Sequence, residues 1–150
     1  MLPIMNLAAN LFFELPARNK ALTTLADDLR TSGTTVQQRI ANASDTPRSR
    51  EFALHLIGIE RWGQRRLKVA LGEDLIRDEY DGYRPAQDIA FEQLPAEFEQ
   101  TRQQTLDLVT ALENTDYSDK IEHNSFGPLT VRGWLKYLDS HAAMTAKLVR

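Results

Sequence analysis

A chain of 150 residues with 18 Lys and Arg against 21 Asp and Glu carries a formal charge of −3. Its charges are scattered rather than gathered into a basic stripe, which argues against a nucleic-acid surface. It contains no cysteine, so disulfides, thiolate nucleophiles and Cys-based zinc sites are excluded, and the composition fits a reducing cytoplasm. The length is that of one domain, residues 1–150, able to bury a core without a structural metal.

The opening stretch MLPIMNLAANLFFELPARNK lacks a basic leader and is interrupted by Asn6, Asn10 and Glu14. It reads as helix rather than signal peptide, and no apolar run approaches the roughly 20 residues that span a bilayer. From about Leu2 to Arg30, the leucines at 7, 11, 15, 22, 25 and 29 predict a first long helix. Pro16 is its expected kink or restart and Gly33 its expected end. An extra turn is expected at Val36–Ile40, and the polar stretch Ser44–Ser49 makes a short connection. Thr46 and Pro47 supply an N-cap and a first-turn proline for a second helix. Its stripe is Phe52, Leu56, Ile59, Trp62 and Leu67, and it runs to Gly72. Glu73–Leu94, rich in Asp, Tyr, Gly and Pro, predicts a long crossover or functional flap. Pro95 opens a third helix with Phe98, Thr101, Thr105, Leu108, Val109 and Leu112 inward. Asn114–Pro128 is the next connection. Thr130 caps a fourth helix, with Trp134, Leu135, Leu138, Ala142 and Leu148 on one stripe.

Four amphipathic segments with almost no alternating strand pattern predict an all-α four-helix bundle, and the long second-to-third connection predicts a crossover. Two stripes carry a polar residue inward. His55 lies three after Phe52 and four before Ile59, and His141 lies three after Leu138, so both rings point toward the core. Buried imidazoles need hydrogen-bond partners or a metal. Thr145, one turn after His141, and Glu51, one turn before His55, put a hydroxyl and a carboxylate within reach of that layer. A core histidine bonded to backbone or water is the ordinary alternative. His123, in HNSFGPLT, reads as a solvated or turn-capping residue. In the cluster Arg61, Trp62, Arg65 and Arg66, the indole fits the core stripe and the arginines its wet flank. The sequence has no Gly-rich phosphate loop, no G-x-S-x-G elbow and no H-E-x-x-H motif.

The residues around His55, SREFALHLIGIE, and the stretch Asp116–Lys120, His123, Phe126, Gly127, Thr130 and Val131 leading to Leu135, Leu138 and His141 resemble the DinB-like family of four-helix metalloenzymes. The resemblance covers most of the chain. It implies a bundle with a long connection between helices two and three, frequent dimerisation, and a divalent metal, zinc or nickel, held by three histidines. One histidine comes from the second helix and two, spaced i and i+4, from the last. His55 matches the first position and His141 the second, whereas Thr145 occupies the third. A hydroxyl is a poor substitute for imidazole, so the metal is expected to bind weakly or not at all.

Two functions follow as expectations. One is a small-molecule-binding or structural bundle with a weakened or lost metal site. The alternative is a metal-dependent thiol transferase or hydrolase using His55 and His141. A homodimer is expected from the resemblance and from Phe12, Phe13 and Leu15, which leave more apolar surface on the first helix than one face can bury.

Overall fold

The computed structural model describes residues 3–150, and Leu2, the expected start of the first helix, lies outside them. The chain is mostly helical: α1 (Pro3–Ala9), a π turn (Asn10–Glu14), α2 (Leu15–Ala17), α3 (Leu22–Ala41), α4 (Pro47–Leu67), α5 (Leu94–Leu112) and α6 (Val131–Ala146). Between α5 and α6 runs an antiparallel pair, β1 (Ile121–His123) and β2 (Gly127–Leu129), with His123 opposite Gly127.

The single long first helix is corrected to two pieces. Pro16 does not end the helix: the preceding turn widens so that the Leu15 N–H reaches Asn10 O, which accommodates a ring that would otherwise crowd the carbonyl four residues back. The break falls instead at residues 18–21, where Ala21 is extended (ψ 152°). Phe13 and Ala17 are buried before it, and Leu25 and Leu29 after it. Glu14 explains part of the first piece's placement. Its carboxylate accepts Thr130 N–H and Oγ1–H, both at 2.7 Å, while Thr130 Oγ1 accepts Gly133 N–H at 3.0 Å. These are the two bonds of a capping box, with the acid delivered from residue 14 instead of the third helical position. That position is Gly133, where a Cβ would collide with the Glu14 carboxylate.

Gly33 does not end a helix either. It is buried in mid-α3, where a Cβ would lie 3.0 Å from Arg102 Cγ, so its small size admits that side chain. The expected turn Val36–Ile40 is the continuation of α3. Thr46 caps α4 by accepting Ser49 N–H at 3.1 Å, and Gly72 closes the following 3₁₀ turn at φ 100°.

Helix α3 packs against α5 and α6, and α4 packs against the same two. Arg61 meets Glu97 while Gln64 meets Thr101 and Thr105, so α4 and α5 run parallel. His55 meets His141 and Gly63 meets Leu138, so α4 and α6 are antiparallel. Parallel neighbours need a long return path, and residues 68–93 provide it. The return path is pinned to the core by Asp78, whose carbonyl accepts from Trp62 Nε1, Arg66 Nη2 and Asn124 Nδ2.

The apolar core forms two clusters. One holds Leu29, Ile59, Leu106 and Leu138, the other Val36, Ile57, Phe98 and Ala142. Between them every long helix presents polar residues: Ser32 from α3, Glu60 from α4, Arg102 and Thr105 from α5, and Asp139 from α6, with Ser32 bonded to Asp139. No described helix is long and apolar enough to cross a membrane.

Candidate functional site

The inward histidines meet. Helix α4 buries Leu54, Leu56 and Ile57 around His55, and α6 buries Leu138 and Ala142 around His141, so both rings are held half-buried at the helix contact. His55 Nε2 lies 3.2 Å from His141 Nε2. With both rings neutral, one Nε2–H donates to the other's bare nitrogen, which leaves one Nδ1–H and one bare Nδ1 for outside partners. Burial, then the neighbouring His55, push the His141 ring down to about 4. Burial and then the Arg84 guanidinium also lower His55, against the raising effect of Glu51 and Asp81.

Two phenols complete the cluster. Tyr80, delivered by the long connection, packs edge-on against His55 at 4.9 Å between ring centres. Tyr137 lies 5.7 Å from His141. Burial, with Tyr80 close by, raises the Tyr137 hydroxyl well above its ordinary value. Tyr137 was legible from spacing, since Tyr137, His141 and Thr145 repeat every four residues on α6. Tyr80 carries no such signal, because a loop has no helical period.

Thr145 is buried on the face of α6 that carries His141. Glu51 is exposed, and its carboxylate pairs with Arg84 at 3.0 Å. Arg84 also lies 3.7 Å from Asp81.

His123 is buried rather than solvated, at 4 % exposure, among Trp62, Trp134, Phe126 and Tyr137. It does cap a turn: its Nδ1 accepts Ser125 and Phe126 N–H at 3.1 and 3.2 Å. The ring's proton therefore sits on Nε2, which meets no acceptor among the described residues. Burial, then Arg66 and His141, push it down to about 3. Arg66 likewise corrects the reading of a wet arginine flank. It is fully buried, stacks over Trp62 at 4.7 Å, and ties β1 to the connection through Glu122 O, Asn124 Oδ1 and Asp78 O. Trp62 is buried as its stripe requires.

The nitrogen separation also suits a metal, since two imidazoles on one tetrahedral ion at about 2.0 Å each are about 3.3 Å apart. The set is nevertheless incomplete. Among the described residues no group of three or more His, Cys, Asp or Glu side chains lies where one ion could take them all, and His123 presents a protonated nitrogen. His55 and His141 would hold the ion, and a metal there would supply Lewis acidity.

Next to the pair opens a groove of about 820 Å³. Its floor is Phe13, Tyr137 and Thr145, and its rim includes Phe12 and Met144, 60 % and 68 % exposed. Phe13 packs inward on Phe126 and Tyr137, which removes it from the surface that was expected to drive association. No family model, curated protein or solved structure matches the chain.

Proposed function

We propose that this chain is a DinB-like four-helix bundle that binds a small molecule beside His55 and His141, with a divalent-metal site weakened by threonine at position 145. The observation that carries the reading is the 3.2 Å approach of the two Nε2 atoms next to a groove of ligand size. The motif resemblance at His55 and His141 supports it, as does the parallel arrangement of α4 and α5 across a long connection. The residues act here as binders. Of the uncharged imidazole pair His141 lines the groove, and the Tyr137 and Thr145 hydroxyls lie on the same lining.

The same approach of nitrogens favours a second reading, a metal-dependent thiol transferase or hydrolase. Stoichiometric zinc or nickel in the purified protein, lost on His55→Ala or His141→Ala, would favour it over the first.

Thr145→His tests the ancestry of the site. It places a second imidazole one turn from His141, and zinc or nickel affinity should rise at least 10- to 100-fold, the range that even outer-sphere changes produce. Calorimetry on metal-stripped protein near neutral pH reads this directly. A folded variant with no gain would remove the metal-site reading. Self-association belongs to the same proposal. It is supported by the exposed Ile4, Leu7, Leu11, Phe12 and Leu15 and is checked by light scattering, where a monomer at high concentration would contradict it.

A further inference from the structure

Resting on the small-molecule reading above, we propose that the groove between the N-terminal segment and α6 takes an amphipathic molecule with an aliphatic body and an uncharged hydroxyl or carbonyl head. The head lies at His141 and Thr145.

The lining sorts by depth. Phe12 and Met144 are mostly exposed at the mouth, whereas Phe13 and Tyr137 are buried beneath them. A linear apolar body laid along this path would be covered on one side by aromatic rings and on the other by Met144, a side chain that adapts to irregular partners. The polar groups of the lining are gathered on α6: the Ser140 hydroxyl, the His141 ring and the Thr145 hydroxyl. All are hydrogen-bonding and none is a fixed charge.

No carboxylate lines the groove, and its one cation, Lys147, is exposed. The nearest guanidinium on the His55 side, Arg84, is engaged by Glu51 and Asp81. An anionic head group would meet only the exposed, solvent-screened Lys147 ammonium and a cationic one no carboxylate, so either would lose hydration at His141 and Thr145 for little return. A hydroxyl or carbonyl would exchange water for neutral donors and acceptors at little cost. Apolar body and neutral polar end thus match the groove in both respects.

The test uses the full chain at pH 7.5 and three probes of equal length: 1-octanol, octanoate and octylammonium. Calorimetry should show saturable binding of 1-octanol, at least ten-fold tighter than either charged probe. Met144→Glu, at an exposed position, should weaken 1-octanol at least ten-fold without altering the fold. Thr145→Val, of similar volume, should weaken 1-octanol several-fold and reduce its advantage over octanoate. Equal or tighter binding of a charged probe overturns the proposal. So does undiminished binding by Met144→Glu, no binding of any probe, or a dimer that Met144→Glu dissociates, since the groove would then be filled by a second copy. Loss of this proposal alone leaves the zinc gain of Thr145→His intact. Failure of that gain with 1-octanol binding intact removes only the metal ancestry.

Discussion

Two of the polar side chains that helix α4 turns inward, Glu60 and His55, lie five residues apart in surroundings opposite in kind. Glu60 is paired twice by Arg102, at 2.6 and 2.9 Å, and accepts Thr105 Oγ1–H at 2.8 Å. Arg102 Nη1 donates to Leu29 O and Ser32 Oγ, and Gln64 joins by donating to Thr101 O and Thr105 Oγ1. Both ions of the pair are almost wholly buried. His55, by contrast, shares one bond with a second uncharged ring, the pair keeps one Nδ1–H and one bare Nδ1, and its partner His141 lines an open groove. A polar cluster that satisfies itself specifies how helices pack, whereas one with capacity left over is equipped to receive something else.

The largest break of this comparison comes from Arg102→Met. It leaves Glu60 buried without its partner and should cost about 3–5 kcal/mol, measured by urea denaturation. Adding Glu60→Leu should recover most of the loss, because a matched apolar pair carries no desolvation penalty. A double variant as unstable as the single would show that the layer's shape, not its charge balance, matters.

Acid should separate the two clusters next. His141 and His123 are held at about 4 and about 3, against 6.5 in an unfolded chain. Between those values the unfolded state binds the proton and the folded state does not. Their contribution is therefore complete above pH 6.5 and is lost as pH falls toward 4, by about 1.4 kcal/mol per pH unit for each ring. Urea midpoints measured from pH 7.5 to 5 should decline, and His123→Phe should make the decline shallower. A profile flat over this range would contradict the buried, neutral state of both rings.

The smallest effect sharpens the contrast from the groove side. Glu14→Ala removes the remote acid that caps α6 and should cost about 1–2 kcal/mol, visible as a lowered urea midpoint. It should also weaken 1-octanol, since Phe12 and Phe13 are held by the same turn, while leaving the Glu60–Arg102 pair untouched. Unchanged octanol affinity would mean that the groove wall does not depend on this tie.

Much of this was legible locally. The caps at Thr46 and Thr130, the first-turn prolines at 47 and 95 and the inward aim of His55 and His141 all follow from spacings within one helix. The residues that escaped notice are those whose roles depend on distant partners. Gly33 looks like a terminator until Arg102 is seen beside it. Arg66 looks wet until the connection and β1 close over it. The strand pair was missed because three-residue strands are too short to display alternation.

The sequence by itself determined the helical segments and which face of each is apolar, because a 3.6-residue period expresses itself within a few turns of chain. Only the tertiary structure decided that α4 meets α6 where both carry histidine, that Tyr80 returns from the connection to cover one of them, and that Glu14 reaches Thr130 across 116 positions. Such pairings join residues far apart along the chain. They are selected by how apolar faces fit together and by the need of each buried polar atom for a partner, and neither condition has a local period to read.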